Sequence, residues 1–123
     1  MTFVVVVDGD AASWRVDLVT LTEAIRGRWA DAEFDSTGDS EVRGLIWRFE
    51  TENGPGEAYL HVDGTCLYMD VWEEEAVWLA IVFRRLTPAD LDLIFCDEGY
   101  TYDIRLQAGA TEGELRYLVD AAG

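Results

Sequence analysis

The chain has 123 residues, half of them apolar, with five each of Trp, Tyr and Phe; that is substance for one core and too little length to divide comfortably, so a single domain over residues 1–123 is expected. Its charge is lopsided, with 25 Asp and Glu against nine basic residues, all of them arginine, for a formal net charge of −16. The imbalance argues against direct nucleic-acid binding and against docking on anionic membranes, both of which need a basic patch, and the aromatic content argues against a disordered acidic tail.

The acidity has two readings. One is solubility, in a genome or cytoplasm that favours acidic, arginine-only proteins; the other is complementarity to a cationic partner. The apolar run at the N-terminus, Phe3 to Val7, has no positive flank and suits neither a signal peptide nor a membrane span. The longest apolar run, Ala76 to Phe83, is eight residues. A cytoplasmic location is therefore expected, in which Cys66 and Cys96 stay reduced and form no disulfide framework.

Taken in chain order, Thr2–Val7 reads as a strand, β-branched and unbroken, suited to burial on both faces or to a place beneath a helix. A helix follows. Thr20 and Glu23 have the spacing of a capping box, Asp17 offers an earlier cap, and Leu21, Ala24, Ile25, Arg28 and Trp29 recur at helical spacing. The segment EFDSTGDSE reads as a polar loop. From Val42 the period becomes two, with Leu45, Trp47 and Phe49 alternating with Ile46, Arg48 and Glu50. ENGPGE reads as a turn, and Asp63-Gly64 between two alternating runs signals a tight hairpin, because a type I′ turn needs positive φ at both central residues. Ala76–Arg85, apolar on both faces, completes a four-stranded antiparallel meander over residues 42–85. Beyond it, Thr87-Pro88 suits either a short helix through Phe95 or a hairpin of 91–97 with 100–106, and the β-forming Thr101, Tyr102 and Ile104 favour the hairpin. Thr111-Glu112-Gly113-Glu114 opens a C-terminal helix carrying Leu115, Leu118 and Val119. The expected fold is α+β: an antiparallel sheet of five to seven strands with the N-terminal and C-terminal helices on one face.

A two-residue turn at Asp63-Gly64 fixes a register. His61 falls opposite Cys66, Leu60 opposite Leu67 and Tyr59 opposite Tyr68. Alternation then puts Leu60, Val62, Thr65, Leu67, Met69 and Val71 on the core face, and Tyr59, His61, Cys66, Tyr68, Asp70 and Trp72 on the other. Flanking strands add Ile46, Arg48 and Glu50 to that second face, with Trp78 and Arg84 from the far side. Aromatic and arginine anchors are the residues that dominate binding surfaces, so this face is the candidate recognition surface, with Glu73, Glu74 and Glu75 as its acidic rim.

Chemistry-bearing alternatives are weaker. His61, Cys66 and Asp70 share a face, but neither the Cys-x-x-Cys nor the His-x₃-His spacing of structural zinc occurs. A Cys66–His61 nucleophile lacks an orienting third group and stands on a flat sheet. The oxygen-rich segments DGDAAS and DSTGDSE keep neither EF-hand nor phosphate-loop spacing, and the carboxylates of CDEGYTY read most simply as turn residues. No catalytic residue, metal or cofactor is assigned. The function expected is a small, acidic, protein-binding module, in its most concrete form an inhibitor or immunity-type protein covering a basic surface. The alternative is a small-molecule- or metal-binding protein, or minor enzyme, built on His61 and Cys66. An exposed aromatic face also suits a homodimer.

Overall fold

The computed structural model describes residues 2–8, 14, 16–35, 43–61, 65–99 and 101–122. In chain order the elements are β1 (Thr2–Asp8), α1 (Leu18–Arg28), β2 (Glu33–Asp35), β3 (Arg43–Thr51), β4 (Gly54–His61), β5 (Cys66–Asp70), α2 (Glu73–Leu86), β6 (Asp92–Asp97), β7 (Asp103–Leu106) and α3 (Glu112–Ala122). The seven strands form one sheet in the order β2-β3-β4-β5-β1-β6-β7, with every neighbouring pair antiparallel. Among the described residues no helix is long and apolar enough to cross a membrane.

Strand β1 lies inside the sheet, between β5 and β6. Its uniform valine run is buried only at alternate positions, Phe3, Val5 and Val7, because a strand presents successive side chains to opposite faces whatever their composition. Of the two expectations for this run, the place beneath a helix holds, since α2 packs over β1, and burial on both faces does not. Phe3, Val5 and Val7 join Trp47, Phe49, Leu60, Leu67, Met69, Leu93 and Phe95 in the core beneath the helices. Phe49 stacks on Trp29 with ring centroids 4.2 Å apart, and Trp78 meets Trp29 edge-on. The buried Trp47 indole N–H donates to Thr22 Oγ1 at 3.0 Å, which ties α1 to β3. Gly56 lets this packing close, since a Cβ there would lie 2.8 Å from Phe49 Cε2 and 2.9 Å from Val71 Cγ1.

The largest departure from the sequence reading is Ala76–Arg85, which is not the fourth strand of a meander but the body of α2. An eight-residue apolar run fits a buried strand and a buried helix equally well by periodicity. The flanks decide: Glu73, Glu74 and Glu75 occupy the first turn and Arg84 and Arg85 the last, each sign matching the helix dipole. The helix is apolar nearly all round because it packs over the sheet at β1 and between α1 and α3. It joins β5 to β6, which lie on either side of β1.

Smaller corrections concern the loops. Part of the expected polar loop is β2, paired with β3 through Glu33↔Arg48 and Phe34↔Trp47. The expected ENGPGE turn contracts to Glu52-Asn53, with Gly54 at φ 122° and Pro55 and Gly56 already inside β4. Pro55 is tolerated because β5 begins to pair only at Glu57↔Asp70, so no ladder bond is lost. Residues 92–97 and 103–106 form the hairpin rather than a helix. Helix α1 is capped by Asp17, whose Oδ1 accepts from the Val19 and Thr20 amides at 3.1 and 3.3 Å. At α3 the expected Thr111/Glu114 pair caps the helix: Thr111 Oγ1 accepts from Glu114 N–H and its hydroxyl donates to Glu114 Oε1. The Asp63-Gly64 turn lies outside the described residues.

Candidate functional site

The β4–β5 register is Glu57↔Asp70, Ala58↔Met69, Tyr59↔Tyr68 and Leu60↔Leu67. The last bonded pair is Leu60↔Leu67, and His61 and Cys66 follow it on the two strands. The register separates two faces. Ala58, Leu60, Leu67 and Met69 belong to the core beneath the helices, whereas Tyr59, Tyr68 and Cys66 do not.

The face away from the helices is broader than the hairpin alone implies. Successive pairings carry one row across the sheet: Ile46, Tyr59, Tyr68, Val4, Cys96. The neighbouring row holds Cys66, Val6, Ile94 and Arg105. Tyr59 and Tyr68 lie at the centre with rings stacked, centroids 4.8 Å apart and planes 13° apart. Ile46, Cys66 and Cys96 are buried among their neighbours, and Val4, Val6, Tyr59, Tyr68, His61 and Ile94 are half-buried. The apolar stripe is bounded by charge on both sides. Arg48 pairs with Glu57 at 3.4 Å on one side, and on the other Arg105 spans Asp8 and Asp92 at 3.5 and 3.0 Å. Both arginines are half-exposed, so these pairs set orientation more than stability.

Several expected members are placed elsewhere. Trp78 and Arg84 lie on α2, on the helical side, because their segment is not a strand. Trp72 follows β5 and stands at the N-cap of α2, 59% exposed. Of the acidic rim, Glu73 and Glu74 are exposed, but Glu75 is buried, its Oε1 accepting from Asn53 Nδ2 at 2.9 Å. The sequence reading missed Val4, Val6, Ile94 and Cys96, since nothing in the chain indicates that β1 inserts between β5 and β6.

Three clefts lined by described residues gather at the end of the sheet where β3 turns into β4 and β5 leads into α2. The largest, about 430 Å³, runs beneath Trp72 between Phe3, Pro55, Asp70, Val71 and Glu73. A second, about 350 Å³, adjoins Arg48, Glu50, Glu57 and Asp70, and a third of about 200 Å³ lies between Glu50, Glu52 and the start of α2. His61 and Cys66 lie toward the opposite end of the β4–β5 pair. Among the described residues no three His, Cys, Asp or Glu side chains are placed to hold a metal ion.

Two groups, the Tyr102 phenol and the Cys96 thiol, are pushed toward their neutral forms. Burial, followed by the charges of Asp97, Glu73 and Cys96, pushes the Tyr102 phenol up to about 12. Burial likewise raises the Cys96 thiol, reinforced by Asp97 and Asp103. A thiol so placed is a packing residue, not a nucleophile. The arrangement combines a stacked aromatic pair in an apolar stripe, charged margins, and an acidic end with recesses and an exposed tryptophan.

Comparison of this chain with protein-family models, with curated proteins and with solved structures gives no match in any of the three.

Proposed function

We propose that this chain is a protein-binding module that engages a basic partner through the face of its sheet turned away from α1, α2 and α3 and the acidic end beside it. The observation that carries the reading is the Tyr59–Tyr68 stack on that face, opposite all of the core beneath the helices. Rigid aromatic side chains at the centre of a surface lose little conformational entropy on binding and supply most of the area that excludes water. Net charge makes the partner basic: a chain of −16 repels acidic surfaces and itself, and is drawn to cationic ones. Its most concrete form is a cytoplasmic inhibitor, of the immunity type, that covers a cationic active site and so keeps substrate out.

Affinity capture from the native lysate tests this, with the wild-type chain and a folded Tyr59→Ala/Tyr68→Ala variant run in parallel at low and moderate salt. The reading expects a basic protein that the wild type retains at low salt, that salt releases, and that the double variant retains at least about tenfold less well, a loss of some 1.4 kcal/mol or more. Retention of the same proteins by both chains at both salt concentrations would contradict it.

A further inference from the structure

The third cleft has a feature that surface acidity alone does not explain. Its lining includes Arg28, Trp29, Glu50, Glu52, Glu74 and Glu75, four carboxylates against one guanidinium. Glu50, Glu52 and Glu74 are exposed, but Glu75 is only 2% exposed. One of its oxygens, Oε1, is held by the Asn53 side chain at 2.9 Å, whereas the other, Oε2, is buried without a hydrogen-bond partner. The helix dipole accounts for carboxylates in the first turn of α2, yet exposed Glu73 and Glu74 already meet that need. Burying a third carboxylate with one oxygen unmatched is unfavourable unless a donor reaches it.

The chemistry of the walls indicates which donor. A metal ion needs several ligands converging on one point, and no such group of three occurs among the described residues. The wall already accommodates one planar cation, because the Arg28 guanidinium lies over the rings of Trp29 and Trp78, at 5.0 and 4.9 Å from their centroids. That position keeps Arg28 against the aromatic rings. A guanidinium presents five N–H donors in one plane and is weakly hydrated, so it can serve two carboxylates at once and enter a partly apolar recess more readily than an ammonium ion.

We propose that this cleft is a binding site for a guanidinium group: the Glu75 carboxylate turns its unmatched Oε2 toward the cleft to accept one of its N–H bonds, the exposed glutamates supply the surrounding negative charge, and Trp29 lines the apolar side. The site stands independently of the partner reading above. The group is supplied either by an arginine side chain of a polypeptide or by a free small guanidine, and the two sources are separable.

Isotope-labelled protein titrated with methylguanidinium chloride, with acetyl-arginine amide and with methylammonium chloride, at constant ionic strength, provides the test. The expected result is saturable one-to-one binding of both guanidines that shifts the Asn53 side chain, the Trp29 indole and the amides of residues 73–76, with methylammonium clearly weaker. Glu75→Gln, which keeps the shape and an acceptor for Asn53, should weaken guanidine binding by about tenfold or more. Glu50→Gln/Glu52→Gln, which changes exposed groups only and so spares the fold, should weaken it severalfold. Acetyl-arginine amide binding much more tightly than methylguanidinium identifies a polypeptide arginine as the occupant; equal affinities identify a free guanidine. Shifts that never saturate, affinities unchanged in both variants, or tighter binding of Mg²⁺ at the same residues would overturn the proposal.

Discussion

Arg84 lies in the last turn of α2, buried to 3% exposure, where its guanidinium gathers chain segments that sequence separates. Nη1–H groups donate to the Leu91 carbonyl at 2.8 Å and the Leu106 carbonyl at 3.2 Å; Nη2–H groups donate to Pro88 at 2.6 Å and Thr87 at 3.4 Å. One side chain thereby satisfies carbonyls at the end of α2, at the entry to β6 and at the exit from β7. Burial weakens its hold on the proton, an effect that the charge of Asp92 partly offsets. A lysine ammonium is compact and cannot span the same four acceptors. Arg84→Lys is therefore expected to destabilise the fold by about 2–4 kcal/mol in urea or thermal unfolding, because it leaves buried carbonyls unmatched. A loss below about 0.5 kcal/mol would show that the strap carries no stability.

At the scale of elements, α1 separates two readings of one stretch. Both Asp17 and the Thr20/Glu23 pair have capping chemistry, and the structure gives the role to Asp17, whose carboxyl is drawn below its usual range first by the Thr20 amide. Asp17→Ala should lower the thermal midpoint by a few degrees, and Glu23→Ala should leave it nearly unchanged. Because the Asp17 pKa is lower in the folded chain, its contribution is present above the unfolded carboxyl pKa and fades as pH falls through the folded value. Equal midpoint losses in the two variants would mean that the box is the true cap. What the chain made legible was local. The β4–β5 register, the Glu112–Ala122 helix and the β6–β7 hairpin follow from turn residues, capping spacing and β-branched content within a dozen positions. What it hid depends on tertiary placement. Ala76–Phe83 is apolar all round because two helices and a sheet surround it, so its composition carries no period to read. The face away from the helices was legible at Ile46, Arg48, Tyr59, Cys66, Tyr68 and Asp70; Val4, Val6, Ile94 and Cys96 complete it through strand order, which no local pattern encodes. Glu75 was misread as rim for the same reason: it is buried, and its Oε1 is held by Asn53, in the turn between β3 and β4.

For the whole molecule, sheet and helices form two layers whose shared interior holds the apolar core, and the outer side of the sheet carries the aromatic stripe. Charge acts at longer range than either. A formal −16 on 123 residues speeds encounter with a basic surface and opposes association of two copies of this chain. Long-range steering is screened beyond about 8–10 Å at ordinary ionic strength, whereas desolvated contacts of the kind proposed for Tyr59 and Tyr68 are not. The two contributions therefore separate kinetically. The most direct measurement is stopped-flow association with the captured basic partner across ionic strength, for the wild type and for Glu73→Lys/Glu74→Lys and Tyr59→Ala/Tyr68→Ala. The account predicts an association rate that falls steeply with salt and with the charge reversal, and a dissociation rate that rises about tenfold or more in the tyrosine variant. An association rate independent of salt, together with a dissociation rate untouched by loss of both tyrosines, would contradict it.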